Sequence, residues 1–268
     1  MKFLYPNGLE KALTFSYDDG RVFDRKLVEI FNRYGVKGTF HLNSGTLGKH
    51  ADNGDFVTPE EVKELYKGHE VACHTVSHLQ PMSAPAARTG WELAQDRKVL
   101  EELTGDLVQG FSYPFGRYSP EIIQAAKAQG IKYSRTVVST HDFHVPADFM
   151  EWHPTCHHGD PQMMELAQRF LNFTGMGMTL FYVWGHSYEF AWGDCWNVIE
   201  DFVAFMAGRE DIWYCTNMEL CRYVEAVRAQ EFSADGMSFY NPTAQTVWFQ
   251  EDGKLYAVAP GERGQLKG

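Results

Sequence analysis

The stretch "TFSYDDG" (14–20) ends an alternating run in two adjacent carboxylates, Asp18 and Asp19, followed by a glycine. As punctuation, Asp-Gly is a turn that closes a strand. As chemistry, one carboxylate can hold a metal while its neighbour moves a proton, because successive side chains at a strand end point to different sides. Further along, "HTVSH" sets His74 and His78 four residues apart, a spacing that puts two imidazoles on one face of a helical turn. Two histidines and one carboxylate make a three-ligand set with open positions, which is what a hydrolytic divalent ion needs to carry a water. The two pairs can cooperate only if the fold brings them to one place.

The elements between them predict that it does. "KALTFSY" (11–17) alternates as a strand, and "VFDRKLVEIFNRYG" follows with Phe23, Leu27, Ile30, Phe31 and Tyr34 at helical spacing. "VKGTFHL" (36–42) and "HEVACH" (69–74) read as the next strands; between them Thr58, Pro59 and Glu61 carry the capping-box signature of a helix start. A helix over roughly 84–103, the strand "LVQGFSYP", the helix "SPEIIQAAKAQG" (119–130) and the strands "IKYSRTVV" and "MTLFYVWG" continue the alternation, with helices near 195–207 and 216–229 closing it. About seven strand–helix units imply a parallel sheet with crossover helices, closed into a barrel. In such folds the sites lie at the carboxyl ends of the strands, where Asp18, Asp19, His74 and His78 all fall. Residues 230–268 break the pattern. Their short alternating runs, separated by Asn-Pro and Asp-Gly turns, predict a small antiparallel β extension packed on a barrel spanning 1–229.

"TFSYDDG", "HTVSH", "FSYPFG" and "VWGHS" occur in the order and approximate spacing of the motifs of the polysaccharide deacetylases, the family 4 carbohydrate esterases, and the sequence resembles that family over about residues 10–225. The resemblance implies a distorted (β/α)7 barrel that binds one divalent metal, most simply zinc with cobalt, nickel or manganese as alternatives. It also implies removal of acetyl groups from N- or O-acetylated sugars. Asp18 matches the family's general base, Asp19, His74 and His78 its metal ligands, and His186 its general acid. The backbone N–H of Phe115 falls where the family completes its oxyanion hole, and Tyr113 beside it falls at the substrate.

The chain departs from the pattern in three places. Tyr17 stands where Phe-type variants are commoner and is expected to be packing. Ser112 stands where the family has an arginine that orients the catalytic carboxylate, and Arg135, at the end of the next strand, is expected to supply that guanidinium. The aspartate-rich motif that tunes the acid histidine is not recognisable; Asp142 and Asp148 in "STHDFHVPADFMEWHPTCHH" (139–158) are both candidates to partner His186. The same segment carries His141, His144, His153, His157 and His158 without the spacing of a structural zinc site. His41, at the end of its strand, falls near the cleft as a substrate contact or a supporting partner. Glu189 reads as a helix cap or as a group that orients a ligand. Trp184 and Trp192 flank "VWGHS" and are the expected sugar-stacking aromatics.

Composition narrows the functions. With 24 basic against 35 acidic residues the net charge is −11, which repels nucleic acid and anionic membranes. No apolar run reaches membrane-spanning length, the N-terminal residues show no leader-like apolar core, and the five cysteines lack CxxC spacing, so a cytoplasmic protein with reduced thiols is expected. A homo-oligomer is not indicated. Two alternatives stand beside saccharide deacetylation: hydrolysis of a non-sugar C–N bond such as a cyclic amide, and non-catalytic carbohydrate binding on a retained barrel.

Overall fold

The computed structural model describes residues 1–174 and 177–266. Seven parallel strands carry the site: β2 (Lys11–Asp18), β3 (Thr39–Leu42), β4 (Glu70–Cys73), β5 (Gly110–Ser112), β6 (Tyr133–Arg135), β7 (Cys156–His157) and β8 (Thr179–Gly185), after a short N-terminal β1 (Lys2–Leu4). Their lateral order is β6-β5-β4-β3-β2-β8-β7. The ring is laced shut by residues 152–157. Trp152 bridges β6 at Arg135, its N–H reaching Ser134 O and its O accepting from Thr136, while Thr155 donates to Tyr182 O on β8. A further strand, β9 (Ile212–Tyr214), pairs with the first half of β2, below the point where β3 joins it. The architecture is the distorted seven-stranded barrel expected from the alternation.

Helices α1 (Asp24–Tyr34), α2 (Val62–Leu65), α3 (Ala86–Thr104), α4 (Pro120–Ala128), α5 (Met163–Asn172), α6 (Ser187–Trp192), α7 (Trp196–Met206) and α8 (Asn217–Arg228) complete the described set. Sequence chemistry sets their ends: Thr58 and Glu61 form the expected capping box, Ser119 caps α4, and Gly35 closes α1 in the left-handed region at φ 68°. No described helix is long and apolar enough to cross a membrane.

The strand alternation separates a helix-facing apolar side from an inward side rich in polar groups. Leu13, Phe15 and Tyr17 of β2, Phe40 and Leu42 of β3 and Phe181 and Val183 of β8 face the helices, in one apolar cluster with Leu27, Phe31 and Phe202. The inward positions are polar: Thr14, Ser16, Asp18, Thr39, His41, Glu70, Ser112 and Arg135 are all shielded inside the ring or at its ends. These groups are hydrogen-bonded, as burial requires, beside a second apolar cluster that includes Ala12, Tyr133, Trp152, Leu180 and Tyr182. Thr14 donates to Asn217 Oδ1 at 2.8 Å, and Asn217 donates from Nδ2 to Tyr182 O–H at 2.5 Å. Glu70 accepts from Tyr133 O–H, Thr39 O–H and the Met218 N–H at 2.7, 3.0 and 2.8 Å.

Burial nevertheless pushes the Glu70 carboxyl up to about 7 from an ordinary 4.5, against the pull of those donors. Between these two values the folded protein keeps a proton that the unfolded chain releases, so stability falls as pH rises through the window. The expected loss is on the order of 1–3 kcal/mol, and Glu70→Gln should flatten that part of the slope. Denaturant midpoints measured across the window for both proteins check this. Asp24, also raised to about 7 by burial, leaves a residual slope in the variant.

Beyond the barrel, β10 (Glu231–Phe232), β11 (Ser238–Tyr240) and β14 (Arg263–Gln265) form one small antiparallel sheet. β12 (Val247–Glu251) and β13 (Lys254–Val258) form a hairpin on the expected Asp252–Gly253 turn, both turn residues having positive φ. The hairpin takes its third strand from the far end of the sequence: β1 pairs antiparallel with β12, Lys2 opposite Gln250 and Leu4 opposite Trp248.

Candidate metal centre and catalytic cleft

β2, β4, β5 and β6 deliver their last side chains to one rim. Asp18 ends β2 facing inward, and Asp19 turns out of the strand at φ 81° with its N–H on His41 O. Its carboxylate meets two imidazoles. Asp19 Oδ1 lies 3.7 Å from His74 Nε2 and 3.6 Å from His78 Nε2. The two histidines converge without the helical turn that their spacing suggested. They sit in a loop in which Thr75 and His78 both take positive φ, and the loop is shaped by α3. Asp96 accepts the N–H groups of Ser44 and His74 at 2.8 and 3.0 Å, Glu92 accepts the Ser77 N–H at 2.9 Å, and Asn43 donates to His74 O and Thr75 O. Both acids are buried, which fixes the loop on a rigid element.

The donor set fits a divalent ion. His74 Nδ1 lies 2.9 Å from the Ser112 carbonyl, which can only accept, so the ring proton is on Nδ1 and the Nε2 lone pair faces Asp19. Burial lowers the His74 imidazole to about 3, which keeps it neutral. Two imidazoles and one carboxylate on a half-open rim suit zinc or a similar cation.

Asp18 is 3 % exposed and fully engaged. Ser112 O–H donates to Oδ1 at 3.1 Å, and Arg135 Nη2 forms an ion pair with Oδ2. Arg135 is itself completely buried: Nε donates to Ser16 O–H at 3.1 Å, Nη1 to Thr136 O at 3.0 Å, and the guanidinium lies 4.3 Å from the centre of the Trp184 ring. Burial alone would raise the Asp18 carboxyl, but the Arg135 charge and the surrounding histidines hold it well below the usual carboxylate range. The carboxylate is therefore ionised at any working pH. The arginine expected from the next strand is in place, and Ser112 bonds the same carboxylate from the motif position.

His186 follows β8 at the N-cap of α6, at the same rim. Its partner is neither Asp142 nor Asp148. Asp142 lies beside the exposed His144, and Asp148 caps a short turn at Met150. Glu189 takes the position instead, its Oε2 3.3 Å from His186 Nδ1 and accepting the His186 N–H at 3.2 Å. His157 and His158 join the same oxygen, at 3.1 and 3.0 Å. The H-x-x-E spacing was legible as a helix cap, and Glu189 does accept the His186 N–H at the start of α6.

Five other expectations separate by their surroundings. Phe115 is 59 % exposed in a left-handed turn, its ring 4.6 Å from that of His78, and Trp192 is 52 % exposed with Nε1 donating to Asn53 O. Both are available at the mouth, where Tyr188 stacks between His186 and Trp192. Tyr113, expected at the substrate, is instead buried, with its O–H on Met150 O and its ring on Tyr118. His41 is fully buried below the rim with Nδ1 on Cys73 O and presents no sugar-facing surface, whereas Trp184 is half-buried, with the Arg135 guanidinium on its ring and the rings of His157 and His186 beside it. His41 and Tyr113 point inward and into the core, which removes them from the cleft. Tyr17 is packing, as expected, stacked on His158.

Residues 6–134 match the family model described as polysaccharide deacetylase. That match spans just under half of the chain, which over those residues is similar to the polysaccharide deacetylases. YxkH of Bacillus subtilis, which carries a polysaccharide deacetylase name, is 26% identical over 129 residues, 47% of this chain and 45% of that protein. The chain thus aligns with less than half the length of that curated relative. Among solved structures, a Mycobacterium smegmatis protein also named as a polysaccharide deacetylase superposes with a TM-score of 0.63 at 18% identity, covering 85% of this chain and 94% of that one. An allantoinase, PuuE, superposes with a TM-score of 0.62 at 12% identity over 81% of this chain and 91% of its own. At these identities both are likenesses of fold.

Proposed function

We propose that this protein is a metal-dependent hydrolase that removes acetyl groups from N- or O-acetylated saccharides. The observation that carries the reading is one rim holding Asp19, His74 and His78 as a ligand set directly beside a permanently ionised Asp18. A divalent ion held by that set, zinc being the simplest choice, would supply Lewis-acid polarisation to the acetyl carbonyl and to the attacking water. Asp18 orients that water and takes its proton as the new C–O bond forms. The backbone N–H of Phe115 donates to the oxygen on which negative charge develops. His186 then gives a proton to the departing sugar nitrogen as the C–N bond breaks, leaving acetate and a free amine. An ester oxygen leaves more readily and needs less of this help. Phe115 and Trp192 offer exposed rings for sugar faces at the mouth.

The test is acetate release from a panel of N-acetylated and O-acetylated oligosaccharides, before and after chelation and zinc return. Release that disappears with chelator and returns with zinc is the expected result. No release from any sugar by zinc-loaded protein overturns the saccharide reading, and release indifferent to chelator overturns the metal.

A further inference from the structure

Resting on that reading, we propose that Glu189 is the positioning residue for His186: its carboxylate, anchored by His157 and His158, fixes the His186 ring with Nδ1 protonated and leaves Nε2 as the nitrogen that exchanges a proton at the cleft. Three imidazole nitrogens lie within ion-pair distance, 3.0–3.3 Å, of the single oxygen Glu189 Oε2, which also accepts the His186 backbone N–H, and His186 Nδ1 has no hydrogen-bond partner among the described residues to compete with this contact. The surroundings fix this arrangement. His158 is buried between Tyr17 and Phe190, and it lies so close to Gly185 that any side chain there would collide with the ring. The carboxylate stays ionised, because the histidines around it outweigh its partial burial. An anionic oxygen beside Nδ1 selects the tautomer that carries its proton there, the same logic by which carboxylates orient histidines in other active sites.

His157, His158 and Glu189 could also be read as a second metal site, but the far sides of both rings argue against it. A ligating histidine donates its other N–H to an acceptor, as His74 does to Ser112. His157 Nδ1 instead accepts the Gly159 N–H at 3.0 Å, so its proton sits on Nε2, the atom that faces Glu189. His158 Nδ1 is buried with no partner among the described residues, so nothing draws its proton away from Nε2. Both rings therefore present protons to the carboxylate, not lone pairs to a cation.

The experiment compares wild type with Glu189→Gln on two substrates, an N-acetylated oligosaccharide and an aryl acetate with a good leaving group. Misplacing the proton donor should lower kcat on the amide about 10- to 100-fold with KM little changed, and lower it far less on the aryl ester. Glu189→Asp should recover part of the amide loss. Equal losses on both substrates, as a merely structural role would give, overturn the proposal, and so does no loss on the amide. A wild type that releases no acetate from sugars defeats the deacetylase reading without touching Glu189. Nitrogen-15 NMR of the histidine rings then decides: His186 protonated at Nδ1 in wild type, and a mixture of tautomers in Glu189→Gln, is expected. A His186 protonated at Nε2 in wild type overturns the proposal. So does a second bound zinc that is lost in His157→Ala.

Discussion

Asp18→Asn is expected to lower turnover on an N-acetylated saccharide by about 10³-fold while sparing zinc binding, and to lower stability because the buried Arg135 guanidinium is left without its counter-charge. The amide keeps an oxygen for Arg135 and Ser112 but cannot accept the water's proton. Its neighbour Asp19, which holds the ligand position, is untouched, so zinc stoichiometry should stay at the wild-type value. Steady-state kinetics with metal analysis on the same sample separates the two roles. Turnover within tenfold of wild type would remove Asp18 from the chemistry. Loss of zinc along with activity would mean that the two carboxylates share the metal.

Arg135→Met should act on both stability and activity. The guanidinium is a fully buried positive charge paired with a buried carboxylate, and removing one partner of such a pair costs about 3–5 kcal/mol, read as a lower denaturation midpoint. The kinetic consequence has a definite sign. Without Arg135, burial is no longer outweighed and the Asp18 carboxyl rises. The acid side of the activity profile should therefore move to higher pH, and activity at neutral pH should fall by about 10- to 100-fold. An acid limb that stays in place in a folded variant would show that Arg135 serves packing alone. The double variant Asp18→Asn/Arg135→Met should regain part of the lost stability, because neither charge is then left alone in the barrel.

The parallel barrel was legible because strand and helix periods alternate with clear caps. Gly35, Thr58 and Ser119 end or begin their helices where sequence chemistry put them. Asp18, Asp19, His74, His78 and His186 were legible because each follows a strand, and such folds gather strand ends at one rim. The same rule reached Arg135, whose strand neighbours the one that carries Ser112. What escaped depended on which side of a strand a residue faces. His41 and Tyr113 lie close to the rim in sequence, yet alternation turns His41 beneath the rim and Tyr113 into the packing between sheet and helices. β7 is two residues long and too short to show a period. Glu189 was visible only as a cap, since its partners at 157 and 158 come from a segment whose path no local pattern fixes. The histidine loop shows the converse: a helical spacing satisfied by a tight loop because Asp96, Glu92 and Asn43 bind its backbone from outside.

The strand that closes the C-terminal hairpin has a consequence for how the molecule is made. Residues 2–4 pair with 248–250, and Phe3 packs edge-on against Phe249 and Phe232. During synthesis β1 leaves the ribosome long before its partner exists, and it must wait with an unpaired apolar edge until nearly the whole barrel has emerged. Contacts so distant in sequence form late, because closing the loop between them is costly until the intervening chain is already compact. The folded barrel supplies that compactness by holding the two partners on one flank. The clasp is thus the last piece to assemble, and any lesion that loosens the barrel should first show as an exposed β1 edge and a tendency of nascent chains to associate there.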